Sequence, residues 1–308
     1  MQVQQQEHRA GYIAVIGRPN AGKSTLIDKL IGEKAAIVSD RPQTTRNRNR
    51  ILCILSTEKA QLIFLDTPGL HKPKDKLGEH MVKAAEDSLK DVDAVLYVVD
   101  ATEKRGKGEA YILERLKKVQ VPVILVLNKV DLINQKENLL PRIDAFQKAY
   151  PFHGIMTLSA LEDKDFTPLI EELTGLMPEG PSFYPEDLYT DQTERVMVSE
   201  IIREKILRLT HDEVPHAVAV KVNEMKTRDN GMVYVRADIY VERDSQKGIL
   251  IGRKGQMLKQ ISAEARKDIE DLVGSQVYLE IWVKVRPKWR EKETELRQLG
   301  LSSDHRAY

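Results

Sequence analysis

The chain has 308 residues, which at ~150 per domain points to two domains and excludes one small domain. Hydrophobic residues at 41% and charged residues at 31% exclude wholesale disorder. Lys and Arg number 48 against 47 Asp and Glu, a net charge of +1, so any polyanion site must be local.

The single cysteine, Cys53, lies in the apolar run Ile51–Leu55, which excludes a disulfide framework, disfavours a cysteine zinc site and fits a reducing compartment. No N-terminal stretch has the apolar core of a signal peptide. The longest apolar runs, Ala94–Val99 and Pro122–Leu127, fall far short of the ~20 residues of a spanning helix, and a cytoplasmic protein is expected.

From Gly11 to about Met177 short apolar runs alternate with amphipathic stretches. Tyr12–Ile16, Gln61–Leu65, Ala94–Val99, Val121–Leu127 and Ile155–Leu158 read as strands. Lys23–Ile31, Leu77–Lys90, Gly108–Lys118, Leu139–Tyr150 and Thr167–Leu176 read as helices. That rhythm predicts an α/β domain over residues 1–178, a mixed and mostly parallel sheet with helices on both faces.

Pro178-Glu-Gly-Pro-Ser-Phe-Tyr-Pro185 packs three prolines and a glycine into eight residues, so a connection is expected over 179–191. A smaller α+β domain follows over 192–301. It reads as a helix at Gln192–Leu209, strands at Ala217–Met225 and Met232–Val241 around an Asn230-Gly231 turn, helices on either side of Gly252-Arg-Lys-Gly255, and a strand at Gln276–Val285. The last residues, 302–308, carry no pattern and are expected to be a disordered tail.

Directly after the first strand, Gly17-Arg18-Pro19-Asn20-Ala21-Gly22-Lys23-Ser24-Thr25 matches Gly-x-x-x-x-Gly-Lys-Ser/Thr and opens a helix. The glycines let backbone N–H groups wrap around phosphates, Lys23 counters β/γ charge, and the Ser24 hydroxyl suits Mg²⁺. Asp66-Thr67-Pro68-Gly69-Leu70 follows the next strand, bringing a carboxylate for Mg²⁺ and a Gly69 N–H able to sense a γ-phosphate. Asn128-Lys129-Val130-Asp131 follows a third strand. The Asp131 carboxylate accepts from guanine N1–H and its amine, whereas adenine offers a lone pair that repels it, so GTP or GDP is the expected nucleotide. Ser159-Ala160-Leu161 would buttress the base from the other side. Alone, Asn128–Asp131 is a weak signal. The order of four such segments on successive strands is not.

With these residues in view the first domain resembles a Ras-like GTPase. Its Gly17–Ser24, Pro42-Gln-Thr-Thr-Arg46 and Asp66-Thr-Pro-Gly-Leu-His71 segments resemble, more narrowly, the Era family of bacterial ribosome-assembly GTPases. The resemblance implies that Thr44 and Thr45 belong to a switch, with Thr45 joining Ser24 and Asp66 around Mg²⁺, and that Lys23, Thr45 and Gly69 carry the catalytic contacts. It also implies a K⁺ ion held by Asn20. Ras-type proteins carry a water-orienting glutamine where this chain has Leu70, so intrinsic hydrolysis is expected to be slow unless K⁺, Arg18 or Arg46 takes over charge stabilisation.

Gly248-Ile249-Leu-Ile251-Gly252-Arg253-Lys254-Gly255, with a helix on each side, resembles a KH module of the bacterial type. In that module the loop clamps about four single-stranded nucleotides. Lys259, beside the loop, and a second stripe of Lys284, Arg286, Lys288 and Arg290 are the further expected RNA contacts. Trp282 and Trp289 bracket that stripe; either is placed to stack on a base, although a tryptophan on a strand is more often core. Across nearly the whole chain, the resemblance implies a GTP-hydrolysing switch that binds the 3′ end of 16S rRNA during maturation of the small ribosomal subunit, as a monomer. The competing expectation is a metabolic or stress-linked GTPase whose second domain is a protein platform or a peripheral contact with the inner membrane.

Overall fold

The computed structural model describes residues 8–32, 51–70, 72–73, 75–135, 137, 139–211 and 214–301. Two compact units divide between Asp191 and Gln192, and the stretch just before Met81 groups with the second.

In the first unit six strands, β1 (Arg9–Ile16), β2 (Ile51–Ser56), β3 (Ala60–Asp66), β4 (Ala94–Asp100), β5 (Val123–Asn128) and β6 (Gly154–Thr157), line up in the order β2-β3-β1-β4-β5-β6. All pairs are parallel except the hairpin β2/β3. The central strands are Val, Ile and Leu runs because helices bury both of their faces. Ile13, Val15, Leu62, Phe64, Leu96, Val98 and Val126 pack against Leu26, Ile27 and Leu30 of α1 (Lys23–Ile31) and Leu169 and Leu173 of α5 (Thr167–Leu176). Alternate residues, Ala14, Ile16, Tyr97, Val99, Leu125 and Leu127, meet α2 (Lys76–Asp87), α3 (Lys107–Leu116) and α4 (Leu139–Gln147). Each buried aliphatic side chain contributes ~1.5–3 kcal/mol, and the two layers fix the sheet. Parallel strands end on one edge, so Gly17, Asp66, Asn128 and Ser159 emerge together. β2, the apolar run around Cys53, pairs antiparallel to β3 through a turn without glycine.

Residues 179–191 form a strap along this unit. Gln61, fully buried, accepts from the Phe183 and Tyr184 amides and donates to the Tyr184 carbonyl and the Ser56 hydroxyl. The Phe183 ring stacks on Tyr12 at 5.5 Å, and Ile54 donates to the Tyr189 carbonyl. The Ile54 bond occupies the edge of β2 that the sheet leaves unpaired.

The second unit holds α6 (Glu194–Leu209), the single turn α7 (Val214–Ala217), β7 (Ala219–Thr227), β8 (Val233–Val241), α8 (Asp244–Ile251), α9 (Gln256–Val273), β9 (Val277–Val285) and α10 (Glu293–Gln298). The sheet order is β7-β8-β9, antiparallel then parallel. Gly231, at φ 80°, closes the β7/β8 hairpin. The expected first strand begins two residues late because α7 takes up Ala217. Among the described residues no helix is long and apolar enough to cross a membrane.

Candidate functional site: a nucleotide cradle and an exposed glycine loop

The loop between β1 and α1 wraps where β1 leaves the sheet. Gly22 sits at φ 91°, and a Cβ there would lie 2.1 Å from the Asn128 amide nitrogen, so only glycine fits. Lys23 is buried, with its ammonium donating to the Gly17 and Arg18 carbonyls at 3.4 and 3.1 Å. Burial lowers its pKa to about 8, opposed by the charge of Asp66. An ammonium curled back on its own loop is a charge held for an anion. Thr25 continues the first turn of α1.

The Ser24 hydroxyl donates to Asp66 Oδ2 across 3.0 Å. Hydroxyl and carboxylate oxygens side by side are the hard donors that Mg²⁺ takes, in the one or two protein positions it usually leaves beside phosphate and water. Thr67 donates to the Val15 carbonyl at 2.7 Å, and the Leu70 amide to the Gly17 carbonyl at 3.0 Å, so Asp66–Leu70, Pro68 and Gly69 included, lies along the phosphate loop.

Asn128 is the clamp of the base side. Its amide donates to the Ala21 carbonyl at 2.9 Å, and its oxygen accepts from the Ala160 amide at 2.8 Å, joining three loops. Lys129, at φ 64°, reaches Asp100 at 2.7 Å, while Asp131 and Leu161 are exposed beside the buried Ser159 and Ala160.

In the second unit Gly252 (φ 72°), Lys254 (φ 51°) and Gly255 (φ 78°) make a tight left-handed turn between α8 and α9. A Cβ on Gly252 would press to 2.7 Å on Met257 Cβ. Arg253, Lys254 and Lys259 are exposed, Ile249 is 49% exposed, and Ile251 packs against the core of this unit.

Residues 12–129 match the family model of the 50S ribosome-binding GTPases, and residues 213–290 that of the KH domain. The structure is similar to a crystal structure of Era in complex with MgGDPNP and nucleotides 1506-1542 of 16S ribosomal RNA. Identity is 41%, the TM-score is 0.92, and the match covers 96% of this chain and 99% of that one. An Era variant from Aquifex aeolicus bound to GDP·AlF4⁻ matches over the same shares, with 42% identity and a TM-score of 0.91. The chain belongs to the Era family. It is a GTPase, with a P-loop α/β domain followed by a KH domain.

In this Era-family chain Leu70 is fully buried in the core beneath α2 and α3, which is why the position after Gly69 carries no water-orienting side chain. Arg18 is engaged elsewhere: its guanidinium pairs with Glu103 and, at 3.0 Å, with buried Glu109. That pairing removes Arg18 as a free transition-state arginine. Asn20 holds a left-handed backbone at φ 66°. Thr44, Thr45 and Arg46 lie outside the described residues.

Three cations of the second basic stripe are ion-paired. Lys284 pairs with Asp238 at 2.7 Å, Arg286 with Glu295 at 2.5 Å and Arg290 with Glu242 at 2.7 Å; Lys288 alone of the four is both exposed and without such a pair here. Trp289 is core, donating to the Ala217 carbonyl at 3.0 Å, whereas Trp282, the strand tryptophan, is 56% exposed. Sequence reasoning missed Glu109, and also Asp163, whose carboxylate accepts from the Ser159 amide at 2.7 Å and holds the base-side loop.

Proposed function

We propose that this Era-family GTPase binds the single-stranded 3′ end of 16S rRNA through its KH loop and serves maturation of the small ribosomal subunit. The observation that carries this reading is the 41% identity, across 96% of the chain, to an Era crystallised with that RNA. Supporting it, Arg253 and Lys254 are exposed between glycines that let an RNA backbone approach closely.

In the nucleotide site Lys23 meets the β/γ-phosphates, Ser24, Asp66 and Thr45 hold Mg²⁺, and the Gly69 N–H meets the γ-phosphate. Bound there, Mg²⁺ neutralises phosphate charge. Asn128 orients the base-side loops and Asp131 reads the guanine edge. With Leu70 buried and Arg18 paired, K⁺ beside Asn20 and Arg46 remain for charge stabilisation, and turnover without them is slow.

The test titrates the full chain, loaded with GDP or a non-hydrolysable GTP analogue, with a short RNA copying the 16S 3′ end and with a scrambled RNA of equal length. Tighter binding of the first RNA, by about tenfold or more, is expected. Equal affinity for the two would overturn the 16S assignment, and turnover equal in K⁺ and Na⁺ would remove K⁺.

A further inference from the structure

Along β8 and β9 the odd-numbered residues Val233, Val235, Ala237, Ile239, Val277 and Val283 face the helices of the second unit. The even-numbered ones, Tyr234, Arg236, Asp238 and Tyr240 opposite Tyr278, Glu280, Trp282 and Lys284, therefore make the other face of the sheet. No aliphatic side chain stands among them. One end is engaged: Arg286 lies 4.2 Å from the Tyr240 ring centre and pairs with Glu295 of α10.

The other end is open and aromatic. The Tyr234 and Tyr278 rings stack at 6.0 Å and 18°, with the Arg228 guanidinium 4.9 and 5.3 Å from their centres and Lys226 5.7 Å from the first. Tyr278 and Trp282 are 52% and 56% exposed. Glu280 anchors two rings by their polar tips, accepting from Tyr234 Oη at 2.7 Å and Trp282 Nε1 at 2.6 Å. Those bonds, from Tyr234 first, hold the Glu280 carboxyl below its usual range. Cross-strand pairing accounts for Tyr234 against Tyr278. It does not account for an exposed indole opposite Asp238, nor for an arginine shared by two rings.

We propose that this open sheet face is a second RNA surface, on which unstacked bases of a single strand stack against Tyr278, Trp282 and Tyr234 while Arg228 and Arg236 meet the phosphates. Rings already immobilised at their edges lose little freedom on stacking, and every base offers a π-face. The absence of aliphatic residues disfavours an apolar protein partner; Lys226 is paired with Glu224 and Lys284 with Asp238, which leaves Arg228 and Arg236 against Glu280. The Gly252–Gly255 loop joins α8 to α9 on the helical side of the sheet, so the two surfaces are separate. The inference rests on the RNA-binding reading above, and it adds a site to it.

The experiment uses the full chain and a single-stranded RNA of about 20 nucleotides, longer than one loop clamps, carrying 4-thiouridine. Tyr278→Ala with Trp282→Ala should weaken binding about tenfold or more. Tyr278→Phe with Trp282→Phe should restore it to within about threefold, since phenyl rings still stack. In Arg253→Asp with Lys254→Asp, residual crosslinks should fall on Tyr278 or Trp282. Wild-type affinity in the alanine pair would overturn the second surface and leave the loop reading intact. Equal losses in the alanine and phenylalanine pairs would show that stacking is not the cause and would overturn it too. No binding by the wild-type chain would remove the RNA reading and this inference together.

Discussion

Gly69 lies against Pro19: a Cβ built on the glycine would stand 2.5 Å from the proline nitrogen and 2.8 Å from its Cα. The segment that follows Asp66 thus touches the phosphate loop backbone directly, and the Leu70 amide bonds the Gly17 carbonyl from the same approach. Because the obstacle is backbone and not a flexible side chain, an added methyl group must push the two segments apart.

Gly69→Ala should therefore lower GTP turnover by about tenfold or more while GDP affinity stays within about threefold, since the diphosphate makes no use of the Gly69 N–H. Single-turnover hydrolysis alongside GDP titration measures both. Wild-type turnover would show that the Gly69 approach to the loop is not needed for chemistry.

Asp131→Asn exchanges an acceptor for an amide. GTP affinity should fall by about a hundredfold or more, and xanthosine triphosphate should become the better ligand because the new donor suits its extra carbonyl. Competition between the two nucleotides for a fluorescent GDP analogue reads the switch, and retained preference for GTP would remove Asp131 as the base reader.

Gln61→Ala addresses the strap. The glutamine spends four hydrogen bonds on Ser56, Phe183 and Tyr184, and its loss leaves the two backbone amides and the Tyr184 carbonyl without those partners in a part-buried setting. A destabilisation of ~2–3 kcal/mol is expected, measured by urea denaturation of the nucleotide-bound chain. A change below ~0.5 kcal/mol would mean that water replaces the side chain at no cost.

What the sequence disclosed and what it hid follow from the range of the interactions. Gly22, Lys23 and Ser24 were legible because a phosphate loop demands each residue type within a few positions of the next. Glu109, Asp163 and Gln61 were not, since each acts through a partner from another loop: Arg18 lies far from Glu109 in sequence, and Tyr184 far from Gln61. The pairing of the second basic stripe was hidden for the same reason. Lys284, Arg286 and Arg290 stand close together along the chain, but Asp238, Glu242 and Glu295, which neutralise three of them, come from β8, the segment after it and α10. The two tryptophans were separable only by tertiary context: strand alternation turns Trp282 away from the helices, while Trp289, beyond the strand, folds back onto Ala217.

Lys23 links the cradle to pH. Its pKa of about 8, from an ordinary 10.5, is set chiefly by burial, with Asp66 opposing. A folded-state value below the unfolded one means that the unfolded chain binds more protons between the two. The nucleotide-free protein should then gain stability as pH rises from about 8 to 10.5, and the full cost of burying the charge, ~3 kcal/mol, should be present below pH 8. A bound phosphate reverses the balance by pairing with the ammonium and raising its pKa again. Binding of GDP near pH 9 should therefore take up close to one proton, while binding near pH 7 takes up almost none from this group. Calorimetry in buffers of different ionisation enthalpy counts those protons. In Lys23→Met the uptake at pH 9 should vanish, and hydrolysis with it, because no charge remains at the transferring phosphate. Uptake that persists in that variant would place the titrating group elsewhere in the cradle and leave Lys23 protonated throughout.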